Sequence, residues 1–427
     1  MRALLLGSGG RESALAWGLS RSTVVDELIA APGNPGISEL ATIENVDIDD
    51  PSAVVELARR LATDLVVIGP EAPLVAGVGD ALRADGIKVF GPDAGAARIE
   101  GSKTYAKELM ERGGIPTAAW RAFDDLDASV AYLDELGAPY VIKADGLAAG
   151  KGVVVTEDRA EAIAALKERL VEGRFGAAGR SVVIEEFLDG EETSLIAFTD
   201  GRTVLPCVPA QDYKRVFDDD AGPNTGGMGS YSPVPACPDE LVEQIIHDVL
   251  EPMVSATSEK GSPFVGALYA GLALTSKGPR VIEFNARFGD PETQALVPRL
   301  ASDLGEVCLA AASGELGGVE LQWRPEACVS VVLASAGYPG SYPTGVEIEG
   351  VESAATQPDV HVFHAGTTTA DGALRTAGGR VLAVSALGDS FASARERAYD
   401  AAAMISFEGK HLRGDIAARA VNSRGDS

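Results

Sequence analysis

Residues 281–294 read VIEFNARFGDPETQ, and this stretch carries the most informative pattern in the 427-residue chain. Its first residues predict a strand, along which side chains alternate between the two faces of a sheet. Glu283, Asn285 and Arg287 would therefore point to the same side. Carboxylate and amide oxygens suit a hard cation such as Mg²⁺, and a guanidinium can hold a carboxylate or a phosphate. The pattern predicts a site for a metal and a phosphate, and the alternative is the solvated polar face of an edge strand.

The composition limits the classes of partner. The chain has 63 acidic and 36 basic residues, which gives a formal net charge of −27. Such a surface repels nucleic acid and anionic membranes, so we expect neither as a main partner. No apolar run approaches the ~20 residues of a membrane span, and the N-terminus does not resemble a signal peptide. We expect a soluble, cytoplasmic protein whose four separated cysteines are buried free thiols.

The first hundred residues alternate short apolar runs with helix-like stretches, which predicts an α/β domain with an open parallel sheet. Glycine-rich turns follow predicted strands, at the edge where such sheets bind ligands. The first turn, at residues 7–10, matches a dinucleotide fingerprint only in part, because Glu12 stands at the third glycine position. The helix N-terminus at this turn can still approach an anion, with Arg11 and Glu12 beside it.

A second glycine-rich segment, residues 143–152, reads KADGLAAGKG and lies between two predicted strands. Its backbone N–H groups and its two lysines, Lys143 and Lys151, would neutralise phosphates beneath it. It is not a Walker motif, because Gly152 follows Lys151 where that motif has Ser or Thr. We predict a phosphate-covering loop, and the alternative is a flexible, solvated hairpin.

Two further segments carry groups suited to a nucleotide. Residues 186–188 offer backbone donors and acceptors beside an apolar wall for a base, and Glu191 is placed to accept from ribose hydroxyls. Lys214 and Arg215 precede residues 218–235, whose glycines and prolines predict a long loop that closes over anionic ligands. The alternative for the two cations is a solvated basic pair.

Together these motifs resemble those of the ATP-grasp ligases, and more narrowly those of the glycinamide ribonucleotide synthetase family, the phosphoribosylamine–glycine ligases. Ser8 and Ser13 depart from the family's first motif, which commonly has Asn and His there. The last of the matching motifs is close to diagnostic of the family. The motifs that carry the resemblance extend across nearly the whole chain: residues 7–12, 69–75, 143–152, 211–215, 222–229 and 287–294.

The resemblance implies an α/β protein of three parts. Residues 1–101 would form a Rossmann-like, pre-ATP-grasp domain with an open parallel sheet. Residues 102–323 would form a two-part ATP-grasp unit of α+β type, with a smaller nucleotide-clamping lobe at 118–190 and a larger lobe with the metal site at 191–323. Residues 324–427 would form a small C-terminal α+β domain.

The resemblance also implies the reaction. ATP would drive the ligation of glycine to 5-phosphoribosylamine, with Mg²⁺ or Mn²⁺ as the metal. The products would be glycinamide ribonucleotide, ADP and phosphate, formed through a glycyl phosphate intermediate at the second step of de novo purine biosynthesis. We expect a monomer or a weak homodimer.

The family's pattern implies a role for each matching position. Glu283 and Asn285 would bind the metal. The residues implied to bind ATP are Lys103, Lys143, Gly150, Lys151, Glu186, Leu188, Glu191 and Lys214. The residues implied to bind the other substrates are Gly10, Arg11, Glu12, Glu71, Asp212, Arg215, Gly227, Arg287, Asp290 and Arg413. Arg287, Asp290 and Lys214 are the implied catalytic residues.

Three alternatives remain at this point. Another ATP-grasp ligase would accept a different acid or amine. A Rossmann oxidoreductase would bind NAD, although the incomplete glycine fingerprint argues against it. A non-catalytic nucleotide sensor would bind ATP and release no ADP.

Overall fold

The computed structural model describes residues 1–147, 152–173 and 179–422. Gly150 and Lys151, two residues of the predicted phosphate loop, lie outside this part of the chain. None of the described helices combines the length and the apolar character that a bilayer crossing requires. All four cysteines are buried and unpaired, which confirms that prediction.

The N-terminal region is an open parallel sheet with the strand order β3-β2-β1-β4-β5. The central strand buries Leu4, Leu5 and Leu6 completely, because both of its faces are covered. The prediction of a parallel-sheet domain is confirmed. The strands are β1 (Arg2–Gly7), β2 (Glu27–Pro32), β3 (Thr42–Ile43), β4 (Leu65–Ile68) and β5 (Lys88–Phe90). The helices are α1 (Gly10–Ser20), α2 (Pro35–Ser38), α3 (Pro51–Leu61), α4 (Glu71–Val75), α5 (Val78–Ala84) and α6 (Ala94–Gly101).

The next lobe is a four-stranded sheet with the order β6-β9-β7-β8 and a hydrophobic cluster of its own, around Leu133, Ile142 and Leu166. Its central strands are antiparallel. The helix that precedes these strands in the chain packs against the larger lobe and the N-terminal region, and it begins at Lys103 because the Ser102 side chain accepts a hydrogen bond from Tyr105 N. The elements are α7 (Lys103–Gly113), β6 (Trp120–Phe123), α8 (Leu126–Leu136), β7 (Tyr140–Ala144), β8 (Val153–Thr156), α9 (Arg159–Leu170) and β9 (Val182–Glu185).

The larger lobe contains an antiparallel sheet in which β10 and β16 are central and β17 is an edge strand. The predicted strand at residues 281–284 is part of β17. The strands are β10 (Glu191–Asp200), β11 (Val204–Pro206), β12 (Gln211–Asp212), β13 (Arg215–Phe217), β14 (Ala221–Asn224), β15 (Gly229–Ser232), β16 (Val265–Thr275) and β17 (Gly278–Asn285). The helices are α10 (Asp239–Ile245), α11 (Glu251–Glu259), α12 (Glu292–Leu296) and α13 (Leu304–Ser313), with a π-helical turn at Ile246–Leu250 and 3₁₀ turns at Asp218–Asp220, Val297–Arg299 and Leu316–Gly318.

The C-terminal region completes a five-stranded sheet with the order β12-β15-β18-β22-β19, so it recruits two strands from the preceding lobe. A long helix packs against the two central strands of the region. The elements are β18 (Ala327–Ala334), α14 (Val351–Ala355), β19 (Val360–His364), β20 (Thr367–Ala370), β21 (Ala373–Thr376), β22 (Arg380–Gly388), α15 (Phe391–Met404) and α16 (Ala418–Asn422).

The prediction of a long loop over residues 218–235 is wrong. The segment begins with a 3₁₀ turn, continues as β14, which pairs with β13, and then forms β15. All four residues of β15 are buried, and β15 pairs with β18. Glycine and proline content indicated a loop, but pairing with a strand about a hundred residues further along overrides that local signal.

Candidate active site

The half-buried C-terminal end of β17 meets Lys103 of α7 and Lys143 of β7. Glu283 and Asn285 line one cavity of about 20 Å³ together with Lys103 and Lys143. These residues come from the larger lobe, the start of α7 and β7. The structure thus brings the two candidate metal ligands and two of the candidate ATP lysines into one place. The strand alternation predicted the shared side of Glu283 and Asn285, whereas Arg287 follows the end of β17 and is not among the residues that line this cavity.

The charge of Glu283 depends on its cationic neighbours. Burial opposes its ionisation, but Lys103, Lys214 and Lys143 lower the pKa of Glu283 below its ordinary value. The group is therefore a carboxylate at neutral pH. Among the described residues, no cluster of three or more His, Cys, Asp or Glu side chains could hold a metal. Glu283 and Asn285 supply two oxygen ligands, which fits a cation such as Mg²⁺ that shares its coordination with phosphates and water.

Two lysines share one carboxylate oxygen beside this cavity. Lys143 Nζ and Lys107 Nζ each lie 3.0 Å from Glu185 Oε2. Lys143 also donates to Ile282 O at 2.9 Å, and Lys107 donates to Thr117 Oγ1 at 2.7 Å. Burial lowers the pKa of Lys107 to about 8, although Glu185 opposes the shift. The other oxygen of Glu185 has no hydrogen-bond partner among the described residues.

Sequence reasoning missed Lys107 and Glu185. Lys103 and Lys107 are four residues apart on α7, and this spacing places two side chains on one face of a helix. That spacing was the available signal for Lys107. Glu185 precedes the predicted nucleoside residues at the end of β9, and nothing in the local pattern separates it from Glu186.

The predicted nucleoside residues lie where the chain passes from β9 to β10, between the two lobes. Glu186 N donates to Ala119 O at 2.8 Å, and the Glu186 side chain lies 3.5 Å from Arg280 Nη1. Leu188 is half-buried, and Glu191 is the first residue of β10. The Glu186 N–H and carboxylate are therefore already engaged within the protein, and the nucleoside roles of Glu186, Leu188 and Glu191 stay predictions.

Arg287 is held by carboxylates from the N-terminal region. Its guanidinium lies 2.8 Å from Glu100 Oε1 and 3.3 Å from Glu71 Oε2. Glu100 Oε2 also accepts from Ala286 N at 2.7 Å. Although burial opposes the charge, these two carboxylates raise the pKa of Arg287 above its ordinary range. Glu100 is a further residue that sequence reasoning missed, because its position on α6 carries no local motif.

The first glycine-rich turn is organised around Glu12. Glu12 Oε2 accepts from Gly9 N at 2.7 Å, and Glu12 Oε1 pairs with Arg11 Nε at 2.6 Å. A Cβ on Gly7 or Gly69 would lie within 2.5 Å of a Glu12 atom. Glu12 therefore fills the space under two turns. Arg11 also donates to the Phe288 carbonyl at 3.1 Å.

Asp290 lies beside this turn. Asp290 Oδ1 accepts from Gln294 Nε2 at 2.7 Å, and Asp290 Oδ2 pairs with Arg380 Nη2 at 2.9 Å. A Cβ on Gly10 would lie 2.6 Å from Gln294 Nε2 and 3.6 Å from Asp290 Oδ1. Burial opposes the charge of Asp290, but Arg380 and Arg11 lower the pKa of this carboxyl.

Lys214 and Arg215 occupy different surroundings. Lys214 Nζ forms an ion pair with Glu192, whereas Arg215 Nη1 donates to Gly222 O at 2.7 Å. Burial raises the pKa of Asp212 to about 7, and Lys214 opposes the shift. Lys214 and Asp212 therefore lie near Glu283. Arg215 instead donates a hydrogen bond to the backbone of β14.

Arg413 is fully buried and its donors are largely occupied. It donates to both oxygens of Asp415 at 2.7 and 2.6 Å, to Asp220 Oδ1 at 3.0 Å and to Arg215 O at 3.0 Å. Its guanidinium also lies 4.7 Å from the centre of the Tyr213 ring. This geometry favours a structural role that fastens residues 218–220 to the C-terminal segment. The predicted phosphate contact of Arg413 stays a prediction.

Three family models match successive parts of this chain. The phosphoribosylglycinamide synthetase N domain matches residues 1–100, the ATP-grasp (A) domain matches residues 101–293 and the C domain matches residues 328–419. The phosphoribosylamine–glycine ligase of Rhizobium meliloti (strain 1021) is 52% identical over 423 residues, which cover 99% of each chain.

Solved structures agree with these matches. The crystal structure of phosphoribosylamine–glycine ligase from Thermotoga maritima has a TM-score of 0.84 at 34% identity and covers 97% of this chain and 100% of its own. The biotin carboxylase domain of the Hydrogenobacter thermophilus 2-oxoglutarate carboxylase has a TM-score of 0.72 at 16% identity, with 96% and 91% coverage. At that identity the second likeness shows the fold alone.

Proposed function

Because the chain belongs to the phosphoribosylglycinamide synthetase family, we propose that ATP activates glycine beside the end of β17, at the residues that line this cavity. The chain is an ATP-dependent ligase that joins glycine to 5-phosphoribosylamine in purine biosynthesis. One observation carries the assignment of the site: Glu283, Asn285, Lys103 and Lys143 line the same cavity, although they come from separate elements.

The reaction needs activation because the carboxylate of glycine is a poor electrophile. We propose that a glycine carboxylate oxygen attacks the γ-phosphoryl group of ATP, which gives glycyl phosphate and ADP. The amine of phosphoribosylamine then attacks the acyl carbon, releases phosphate and loses a proton. Positioning and cations that neutralise moving charge dominate such catalysis. The buried cysteines take no part in this scheme.

We infer the metal site from two side chains that supply oxygen ligands. Glu283 and Asn285 would hold a divalent cation, Mg²⁺ or Mn²⁺, which when bound neutralises the phosphate oxygens of ATP. Lys103 and Lys143 line the same cavity and are proposed to neutralise the phosphates. Lys143 must exchange part of its contact with Glu185 for a phosphate, and Lys107 then keeps a cation next to that carboxylate.

We propose separate places for the nucleoside and for the two other substrates. Glu186, Leu188 and Glu191 are proposed to hold the adenosine in the gap between the lobes. Arg287 and Asp290 are proposed to face glycine and the amine. The remaining residues proposed for the substrate side are Gly10, Arg11, Glu12, Glu71, Asp212, Arg215, Gly227 and Arg413.

We also propose that the protein acts in the cytoplasm as a monomer or weak homodimer, without nucleic acid or a membrane as partner. The net charge of −27 supports the last point, because it repels polyanions. Light scattering after size-exclusion chromatography measures the oligomeric state.

An ADP-release assay tests the function. Purified protein with ATP, Mg²⁺, glycine and freshly prepared phosphoribosylamine is expected to release ADP only when both co-substrates are present. Replacing glycine with alanine, or phosphoribosylamine with ribose 5-phosphate, is expected to remove the signal. Nucleotide binding without ADP release would instead identify a sensor, and turnover with another acid or amine would identify a different ligase.

A further inference from the structure

Arg380 reaches from the C-terminal region to two segments of the ATP-grasp unit. Its Nη1 donates to Gly226 O at 2.5 Å and to Asp290 O at 2.8 Å. Its Nη2 donates to Asp290 Oδ2 at 2.9 Å. One guanidinium at the start of β22 therefore joins the backbone turn before β15 to both the backbone and the side chain of Asp290.

The turn before β15 is shaped to admit this guanidinium. A Cβ on Gly226 would lie 2.9 Å from Arg380 Cζ, and a Cβ on Gly227 would lie 2.3 Å from Pro291 Cδ. Gly227 also has a φ of +108°, which L side chains rarely adopt. Tyr338 Oη accepts a hydrogen bond from Gly226 N at 2.9 Å. Two successive glycines thus allow the backbone to lie directly on Arg380 and on the residue that follows Asp290.

The second oxygen of Asp290 is fixed from the other side. Gln294 Nε2 donates to Asp290 Oδ1 at 2.7 Å. Arg380 and Gln294 therefore hold both oxygens of the carboxylate in one orientation. A Cβ on Gly9 would lie 3.7 Å from Asp290 Oδ2, so the carboxylate faces the turn at the start of α1.

We propose that Arg380 is a positioning residue for the ligation: it orients the Asp290 carboxylate toward the substrates and couples the C-terminal region to the Gly226–Gly227 turn. The proposal rests on the proposed function, because Asp290 is there assigned to face glycine and the amine. Arg380 acts through Asp290, and its loss leaves the ATP phosphate residues Lys103 and Lys143 in place.

Removal of the guanidinium has a defined kinetic consequence. Arg380→Met is expected to lower kcat by about 10²-fold, because a misplacement of ~1 Å at a reacting centre costs about that much. KM for ATP is expected to stay within about twofold, since the nucleotide residues are untouched. Arg380→Lys keeps a positive charge but loses the two-nitrogen grip of the guanidinium, so its kcat is expected between those of the wild type and Arg380→Met.

The pH profile supplies a readout that a merely structural role would not change. The charged groups that face Asp290 are Arg380 from β22, Arg11 from α1 and Arg287 from its own segment, and Gln294 adds a hydrogen bond. Each favours the carboxylate, so loss of Arg380 raises the pKa of Asp290. The acidic limb of the kcat profile is then expected to move to higher pH in Arg380→Met.

Two variants serve as controls. The Arg375 guanidinium donates to Gly345 O and to Glu347, both in the C-terminal region, so Arg375→Met is expected to keep the wild-type kcat and pH profile. Tyr338→Phe removes the hydrogen bond that Gly226 N donates to the Tyr338 hydroxyl. Tyr338 is not among the groups that shift the pKa of Asp290, so the acidic limb of this variant is expected to stay in place.

A double-mutant cycle with Asp290→Asn completes the test. If Arg380 acts through Asp290, the two substitutions together lower kcat by much less than the product of their separate effects. Fully multiplicative effects would overturn the proposal, as would an unchanged kcat and acidic limb in Arg380→Met. A raised KM for phosphoribosylamine with kcat preserved would overturn it too, because Arg380 would then bind the substrate directly. Absence of glycine-dependent ADP release in the wild type would refute the proposed function instead.

Discussion

Lys143 Nζ lies 3.0 Å from Glu185 Oε2, and this buried pair brings the paired strands β7 and β9 to the edge of the cavity that Glu283 and Asn285 line. In the proposed function, this pair holds the Lys143 ammonium in place before ATP binds. The same Glu185 oxygen also forms an ion pair with Lys107, so the two lysines share its negative charge.

Lys143→Met tests the phosphate role of this lysine. We expect kcat for ADP release to fall by about 10²–10³-fold, the typical cost of losing one electrostatic contact to developing charge. The protein is expected to stay folded, which circular dichroism checks. Lys260 is exposed at the end of α11, so Lys260→Met is the control and is expected to behave as wild type. Near-normal turnover in Lys143→Met would exclude its phosphate role.

Glu283→Gln tests the metal site. The substitution keeps the shape and removes the charge, so the Mg²⁺ concentration for half-maximal ADP release is expected to rise about tenfold or more. Glu240 is exposed at the start of α10, and Glu240→Gln is the matched control. An Mg²⁺ titration that superimposes on that of the wild type would remove Glu283 from the metal site.

Lys107 predicts a pH-dependent stability. Burial lowers its pKa in the folded protein from 10.5 to about 8, so between pH 8 and 10.5 the unfolded chain binds the proton and the folded protein does not. The free energy of unfolding of the wild type is therefore expected to rise with pH across this window relative to Lys107→Met, by about 1–3 kcal/mol in total. Urea unfolding of both proteins from pH 7 to 10 measures the difference. If the free energies of unfolding of the two proteins changed with pH in parallel, burial would not lower the pKa of Lys107.

Gly227→Ala tests the turn on Pro291. The new Cβ would lie 2.3 Å from Pro291 Cδ at a φ of +108°. We expect a loss of about 1–3 kcal/mol in stability from the strained backbone, together with reduced ADP release. Gly318 has nothing within 4 Å of an added Cβ, so Gly318→Ala is the control for thermal melting. An unchanged melting temperature in Gly227→Ala would show that the turn can move away from Pro291.

Arg413→Met separates two roles. If Arg413 fastens residues 218–220 to the C-terminal segment, the substitution lowers stability by about 2 kcal/mol, the scale of a lost hydrogen-bonded charge. KM for phosphoribosylamine is then expected to change little. A large rise in that KM at unchanged melting temperature would favour the phosphate contact that the family resemblance implies.

Much of the fold was predictable from local patterns. The alternation along β17 placed Glu283 and Asn285 on one side because a strand has a strict period of two. The βα alternation of the first hundred residues predicted the parallel sheet, since parallel strands need crossover connections. Both patterns are local, and the structure confirms the elements that they predict.

Other features depend on contacts between distant segments. Arg380 is ninety residues from Asp290, and no sequence motif indicates that the two side chains form a hydrogen bond. Residues 218–235 have the composition of a loop, but part of this segment forms the strand β15 because it pairs with β18. The family resemblance implied that Arg413 binds a substrate, whereas in the structure Asp220 and Asp415 form ion pairs with it.

The most direct test of the central claim is a crystal structure with a non-hydrolysable ATP analogue, glycine and Mn²⁺, in which anomalous scattering locates the metal. The account predicts a manganese peak coordinated by a Glu283 carboxylate oxygen and the Asn285 amide oxygen, with the triphosphate between it and the ammonium groups of Lys103 and Lys143. A manganese peak away from both β17 residues, or a triphosphate out of reach of both lysines, would contradict it.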